Sequence, residues 1–270
     1  MAGFARLFWI DAFTKAPFGG NPAAVCLTSE ELPDETKQAI ARELNLSETV
    51  FIRSEGVGYS VRWFTPTLEV PLVGHATLAA AHVILNCLET HRDTVIFFSP
   101  ASGALAAYRV EGGLAIELPS DETIECSAPA DLVAGLGTSP ASVRRGRHYV
   151  ALLTSEAAVA DITPDFQALA RLDRPAIVAT SPGNSADYVL RFFAPANGVP
   201  EDPVSGVAQC SLVPYWSTRL GRSRLVSSQL SARGGQMTCW MREDRVVISG
   251  SCFTIAEGAF DPAVVGFCRH

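Results

Sequence analysis

The chain has few charged side chains, 18% of its 270 residues, and it lacks a long uninterrupted apolar run. The apolar stretch at residues 76–88 is broken by His82 and Asn86, which argues against a membrane-spanning helix. The apolar part of residues 1–11 is too short for a secretory signal, and no cleavage site of small residues follows it. Because 48% of the residues are hydrophobic, the chain can bury a sizeable core. These features predict a folded cytoplasmic protein without membrane contacts.

Positive charge is scarce as well. The chain has 21 Lys and Arg against 28 Asp and Glu, a formal net charge of −7. A nucleic-acid or anionic-membrane surface needs a basic patch, so this balance argues against both kinds of partner. An anionic ligand would therefore be held locally, by helix ends and a few side chains.

The cysteines show neither a disulfide nor a metal pattern. There are seven, an odd number without metal spacing, at positions 26, 87, 126, 210, 239, 252 and 268. This usage is typical of a reducing cytosol, where most cysteines serve as small buried hydrophobic residues. His75 and His82 would lie about 10 Å apart along a helix, too far to share an ion. The sequence predicts no metal site.

Two segments repeat one order of features: a strand, a loop with Pro, a Gly and an apolar helix. The first passes from residues 59–64 through Gly74 into residues 76–88. The second passes from residues 189–193 through Gly206 into residues 207–216. Such an order suggests an internal duplication that offers two helix N-termini to one cleft. Helix N-termini favour anions, because their N–H groups and dipoles point at the ligand.

The remaining pattern predicts many short strands around one apolar helix in each half, an α+β arrangement. We expect an N-terminal domain at 1–118, whose last strand the C-terminal residues can complete, a linker at 119–129 and a C-terminal domain at 130–270. The strands look too short and too closely spaced for a series of βαβ crossovers. Gly135-Leu136-Gly137 lacks the third Gly of a dinucleotide fingerprint and predicts a loop.

Three titratable residues are candidates for chemistry. Glu48 heads an apolar strand and would become a proton shuttle if burial raised its pKa, whereas a lone Glu is more often a surface or capping group. His75 lies in the first helical turn, where the dipole favours the neutral ring; the alternative is core packing. Asp202 precedes Pro203 and could equally cap the helix.

Ser205 raises the question of a nucleophilic serine. A nucleophile elbow has a Gly two residues before the Ser, and that position is Pro203 here. A serine hydrolase is therefore disfavoured, and Ser205 is a candidate N-cap of the following helix.

Taken together, the motifs resemble the PhzF, or phenazine-biosynthesis-like, family, which has the diaminopimelate epimerase-like fold. The animal phenazine biosynthesis-like domain-containing proteins look most similar. The matching segments are residues 11–14, 20–25, 45–49, 62–66, 69, 74–78, 193–195, 201–206, 214–216, 233–235 and 250.

This resemblance implies two pseudo-symmetric halves, each a mostly antiparallel β-barrel wrapped around a central apolar helix. It also implies an active site between the halves, a homodimer and isomerisation without a cofactor. Glu48 would move a proton between carbons of a small anionic, carboxylate-bearing metabolite, while His75 and Asp202 orient it and assist. The substrate would lie against Asn21, Gly74, Ala76, Thr77, Ser205, Gly206 and Val207.

Two departures bear on the reaction. Val207 stands where the phenazine enzyme of this family has a Ser against its substrate, which favours a different and more apolar ligand. The epimerase relatives use two cysteines, and Val73 and Ser205 occupy those places, so a two-thiol racemase is disfavoured. The alternative to an isomerase is a catalytically quiet ligand-binding or protein-interaction member of the family.

Overall fold

A computed structural model describes residues 5–266 and shows a mixed α/β fold made of two compact units. Among these residues the first unit runs to Glu117 and resumes at Ser249, and the second unit is Leu118–Ile248. Residues 249–266, expected in the C-terminal domain, thus fall in the first unit. The expected linker at 119–129 falls in the second unit. Residues 1–4 and 267–270, and with them Cys268, lie outside the described part of the chain.

The first unit contains the N-terminal strands and two helices, followed by the C-terminal segment. Its strands are β1 (Ala5–Ala12), β2 (Asn21–Thr28), β3 (Glu48–Glu55), β4 (Gly58–Phe64), β5 (Glu69–Val70), β6 (Thr94–Ser99), β7 (Gly103–Val110), β8 (Gly113–Pro119) and, after the second unit, β18 (Cys252–Ala259). Its helices are α1 (Asp34–Leu44), α2 (Gly74–His82), which continues as a π-helical turn at Val83–Leu88, and the C-terminal α7 (Pro262–Gly266).

The second unit alternates short strands with helices in the same manner. Its strands are β9 (Ile124–Cys126), β10 (Ser142–Arg145), β11 (Tyr149–Leu152), β12 (Ile177–Pro182), β13 (Tyr188–Ala194), β14 (Val199–Asp202), β15 (Arg224–Gln229), β16 (Gly235–Arg242) and β17 (Arg245–Gly250). Its helices are α3 (Ala130–Leu136), α4 (Glu156–Ala160), α5 (Phe166–Ala170) and α6 (Gly206–Leu220), with a 3-10 turn at Pro195–Asn197.

Helix α2 is the centre of the first unit. Its residues from Gly74 to Ala81 are buried, and it packs against β1, β2, β3, β7 and β18. A helix that is apolar on all sides must be enclosed, because each exposed face would leave hydrocarbon in water. Strand β18 pairs with Arg6–Ala12 of β1, which is why the C-terminal segment belongs to this unit.

The sheet of the second unit buries both of its faces. One face packs Tyr149, Ile177 and Phe193 beneath α3, α4 and α5. The residues that alternate with them along the same strands, such as Val150 and Leu190, point to the other face and pack with the α6 residues Leu212 and Trp216. This alternation follows from the two-residue period of a strand, and each fully buried large apolar side chain contributes about 1.5–3 kcal/mol.

The two units share one connectivity. In the first, β2 is parallel to β3, β3 is antiparallel to β4, and β4 is parallel to β6. In the second, β11, β12, β13 and β15 repeat this order. Every one of these parallel pairs has at least one helix in its connection, so the expectation that βαβ crossovers are absent is wrong. Most other pairs are antiparallel, and the closure of each sheet into a barrel stays a prediction.

Two further sequence expectations differ from the structure. The segment expected as a linker contains β9, which pairs with β10. Gly135 lies inside α3 and Gly137 ends that helix with a φ of 67°, so the expectation of a loop is wrong. A Gly one residue past a helix is a common C-terminal signal, and it was available in the sequence.

The thiols meet the compositional expectation only in part, because Cys87 is exposed and Cys126 and Cys252 are half-buried. The cysteines within residues 5–266 are free, and Cys26, Cys210 and Cys239 are buried. Burial raises the pKa of Cys210 and of Cys239 to about 12, so neither is a nucleophile. In the same range, none of the helices has both the length and the hydropathy to cross a membrane.

Candidate active site

Glu48 and His75 form a carboxylate–imidazole pair within the first unit. Glu48 opens β3, where it pairs in parallel register with Ala23 of β2, and His75 is the second residue of α2. His75 Nε2 lies 3.1 Å from Glu48 Oε2, and the side chains are 2% and 13% exposed. Strand and helix thus bring together two residues that are far apart in sequence.

Asn21 contacts the other ring nitrogen of His75. Its side-chain Nδ2 lies 3.0 Å from His75 Nδ1, and Asn21 is fully buried. The amide nitrogen of Asn21 contacts the imidazole, and the expected contact of Asn21 with substrate stays a prediction. The structure therefore adds a role that the sequence pattern did not suggest.

Gly20 forms the tight turn that positions Asn21 at the start of β2. Its φ is 64°, a conformation that favours glycine, and an added Cβ would lie 2.1 Å from the carbonyl oxygen of Ala12. A side chain at position 20 would push apart the ends of β1 and β2 where Ala12 and Asn21 pair. The tight turn into β2 therefore depends on this glycine.

The N-terminus of α2 has no side-chain cap. Val73 is the N-cap residue, and Thr77 donates both its amide N–H (3.2 Å) and its hydroxyl (2.5 Å) to the Val73 carbonyl. The buried Thr77 side chain thus bonds its own helix, and its expected contact with substrate stays a prediction. The amides of Gly74 and Ala76 precede the first helical hydrogen bond, so they have no acceptor within the helix.

The N-terminus of α6 is built differently. Ser205 is its N-cap, and the serine hydroxyl accepts from Ala208 N at 3.3 Å. The Ser205 amide donates to Gln229 Oε1 at 2.8 Å, and Gln229 Nε2 donates to the Asp202 carbonyl at 2.6 Å. The N-cap interpretation of Ser205 is confirmed. Gly206 is buried and Val207 is half-buried in the first turn.

Asp202 closes the short strand β14 and is half-buried. The adjacent Glu201 is tied to Arg191 by two hydrogen bonds of 2.8 Å. Arg191 also donates to the carbonyls of Ala160 and Ile162, so it links β14 to the C-terminal end of α4. The sequence reasoning missed both Arg191 and Gln229.

The repeated segments of the sequence contain a pattern that predicts the ion pair of Arg191 with Glu201. Arg62 and Arg191 each stand two residues before a Phe on their strands, and each pairs twice with a Glu of the next short strand. For Arg62 the partner is Glu69, at 2.7 and 2.6 Å. An Arg on one strand and a Glu on the short strand that follows it, repeated in both segments, predict such a doubly bonded pair.

The candidate site contains carboxylate and imidazole groups of the kinds that hold metal ions. Among described residues, Glu48, His75 and Asp202 have donor atoms of the types that metal ions accept. His82 does not add to them, because Thr254 Oγ1 and Asn86 Nδ2 lie 3.0 and 2.9 Å from its two ring nitrogens. Burial, and then the charge of Arg109, lower the pKa of His82, which favours its neutral form. The absence of a metal stays a prediction.

Known proteins of similar sequence cover nearly the whole chain. An uncharacterized isomerase of Pseudomonas aeruginosa is 45% identical over 250 residues, which cover 92% of this chain and 95% of that protein. A rat phenazine biosynthesis-like domain-containing protein is 36% identical over 283 residues, with 93% and 97% covered. The animal protein is thus less similar in sequence than this bacterial one.

The fold gives the same assignment. The crystal structure of a PhzF-family phenazine biosynthesis protein from Enterococcus faecalis superposes with a TM-score of 0.91 at 40% identity, covering 96% of this chain and 99% of that one. The family model for phenazine biosynthesis-like proteins, PhzC-PhzF, matches residues 10–258. A match of this extent leaves one conclusion: the chain belongs to the PhzC-PhzF family.

Proposed function

We propose that this protein is a cofactor-independent isomerase that moves a proton between carbon atoms of a small carboxylate-bearing metabolite. Glu48 would act as the acid and base. The observation that carries the proposal is the 3.1 Å contact between Glu48 and the buried His75. Relatives in the same family are named isomerases, which supports the reaction class.

The dyad has the properties that a proton shuttle needs. Oε2 of Glu48 is buried against the imidazole, while the side chain as a whole keeps 13% of its surface exposed. A carboxylate held in this way has one oxygen fixed and a limited opening to a bound molecule. Positioned acid–base groups of this kind contribute about 10²–10⁴-fold in rate.

The proposed step conserves atoms and electrons. Glu48 takes a proton from an acidified carbon, and the electron pair of that C–H bond moves into the conjugated system that ends at the substrate carboxylate. The protonated Glu48 then returns the proton to another carbon of the same system. Backbone amides at the N-terminus of α2 are suited to the charge that develops in between.

Asp202 is a proposed assistant to this reaction, on the strength of the family resemblance. Its backbone is held through Gln229 and through the Arg191–Glu201 pair, so its side chain starts from a fixed strand end. Val207 is half-buried in the first turn of α6 and offers no hydrogen bond. We therefore propose a substrate that is more apolar at this position than a phenazine precursor.

Proton exchange with solvent tests the assignment. Wild type would be incubated in D₂O containing EDTA with a dihydro-hydroxyanthranilate and a panel of carboxylates with acidified C–H bonds. We expect deuterium at carbon with wild type, and a rate about 10²–10⁴-fold lower with Glu48→Gln at an unchanged melting temperature. EDTA should not alter the wild-type rate.

Glu55→Gln is the matched control, because Glu55 ends the same strand β3 and is exposed. It should exchange at the wild-type rate. Undiminished exchange by Glu48→Gln would remove Glu48 from the mechanism.

A second candidate function is ligand binding without catalysis, and Val207 in place of a serine favours it. Carboxylates that raise the melting temperature of wild type but acquire no deuterium would support this alternative. The homodimer implied by the resemblance stays a prediction, which light scattering on the purified chain measures.

A further inference from the structure

The environment of the His75 ring defines which nitrogen carries its hydrogen. Asn21 Nδ2 lies 3.0 Å from Nδ1, and Glu48 Oε2 lies 3.1 Å from Nε2. Asn21 and His75 are 0% and 2% exposed, so water does not compete freely for these contacts. The ring thus has a different kind of group at each nitrogen.

An amide nitrogen donates hydrogen bonds and accepts none, so Nδ1 must supply the lone pair in the contact with Asn21. A neutral imidazole carries one hydrogen, which then belongs to Nε2. That hydrogen faces the carboxylate of Glu48. A hydrogen on Nδ1 would instead set two donors against each other at 3.0 Å in a buried place.

We propose that Asn21 is a positioning residue that fixes His75 in the Nε2–H tautomer. In this form His75 donates a hydrogen bond to Glu48 and is not a second base. The catalytic consequence rests on the proposed function, in which Glu48 alone accepts the carbon-bound proton. The tautomer itself depends only on the contacts described.

The arrangement gives the substrate proton one acceptor. A proton relay through the imidazole would need Nε2 to receive a proton while Nδ1 passes one on. With Nδ1 turned toward an N–H donor, the relay has no exit. Glu48 therefore takes up the carbon-bound proton itself, and its side chain, 13% exposed, can exchange that proton with solvent before one is returned to carbon.

Nitrogen NMR of the uniformly ¹⁵N-labelled protein at about pH 7 reads the tautomer directly. The chain has five histidines, and His75→Gln identifies the His75 signals by their loss. We expect an unprotonated-type shift at Nδ1 and a protonated-type shift at Nε2. The opposite pattern in wild type overturns the proposal without any variant, because it requires the Asn21 amide to present its oxygen.

Asn21→Asp sharpens the test, since a carboxylate accepts where the amide donates. We expect Nδ1 of His75 to become protonated in this variant and deuterium exchange to fall about 10- to 100-fold, a loss of the size found when the hydrogen-bond partners of metal-ligating histidines are changed. An Nδ1 shift unchanged by Asn21→Asp overturns the proposal. If this variant does not fold, the tautomer of His75 in wild type still supports or overturns the proposal.

The control comes from the second unit, where His148 Nε2 lies 2.8 Å from Ser211 Oγ. Ser211→Ala should change the His148 signals and leave those of His75 in place. The readouts also separate the two proposals. An Nε2–H tautomer in wild type without any deuterium exchange supports the positioning role of Asn21 and contradicts the isomerase proposal. Glu48-dependent exchange with an Nδ1–H tautomer supports the isomerase proposal and contradicts the role of Asn21.

Discussion

The N-terminus of α2 and the N-terminus of α6 occupy the same place in the connectivity of their units, yet they carry different chemistry. His75 follows the first helical Gly in one, and Val207 follows it in the other. The first helix lacks a side-chain cap, and the second is capped by Ser205. The comparison teaches that a repeated scaffold can keep its framework while the titratable residue after the first helical Gly is present in one copy and replaced by an apolar one in the other.

The framework that is kept includes the doubly bonded Arg–Glu pairs. Arg62 and Glu69 have side chains 21% and 41% exposed, whereas Arg191 and Glu201 are only 11% and 22% exposed. The second pair also satisfies two backbone carbonyls. Because burial raises the cost of an unpaired charge, the two pairs should differ in what they contribute.

Replacing each arginine by leucine should give the largest effect. Arg191→Leu leaves a partly buried Glu201 and two carbonyls without their partner, and it should lower the free energy of unfolding by about 3–4 kcal/mol. Arg62→Leu should cost about 1 kcal/mol or less, because its partners face water. Urea denaturation measures both, and equal losses would contradict the comparison.

Acidification should lower the free energy of unfolding, because His148 of the second unit is buried in its neutral form. Burial, as the largest cause, lowers the pKa of His148 from 6.5 to about 4, against a smaller opposing effect of Asp121. The unfolded chain therefore binds this proton at a higher pH than the folded chain does. Stability from the neutral ring is present above pH 6.5 and falls by about 3 kcal/mol as the pH approaches about 4.

His148→Asn isolates this effect, since asparagine cannot take up the proton. The difference in unfolding free energy between wild type and variant should narrow or reverse on acidification from pH 6.5 to about 4. A constant difference across that window would show that His148 protonates as easily in the folded protein as in the unfolded chain.

The cap of α6 should give the smallest change. Ser205→Ala removes the hydroxyl that accepts from Ala208 N and should cost about 1 kcal/mol in unfolding free energy. Thr218→Ala, an exposed position on the same helix, should stay within about 0.5 kcal/mol of wild type. Thermal and urea denaturation of the two variants give the comparison, and similar losses would mean that the cap does not stabilise α6.

The sequence predicted most elements, because period-two strands and the apolar helix α2 are signals of local pattern. It also singled out Glu48 and His75, which the structure brings within hydrogen-bonding distance. It did not anticipate Gln229, which reaches the Ser205 amide from another strand. A neutral amide far along the chain has no local signal, since its role depends on which backbone groups the fold leaves beside it.

The parallel pairing of β4 with β6 and of β13 with β15 was missed for a similar reason. Each parallel contact spans only two or three residue pairs. Strand length and spacing are visible in a sequence, whereas the direction of a short pairing depends on where the intervening helix returns the chain.

The turn between β1 and β2 divides into parts with different freedom to vary. Residues 15–18 are exposed, and Phe18 keeps 75% of its surface in solvent. Gly20 has no such latitude, since any larger residue there would collide with the Ala12 carbonyl. Engineering of this loop can therefore randomise residues 15–17, whereas Phe18 is restricted by its φ of 68° and by the bond from its amide to Asp11 Oδ2. An unaltered Gly20 keeps the Asn21 amide beside the imidazole.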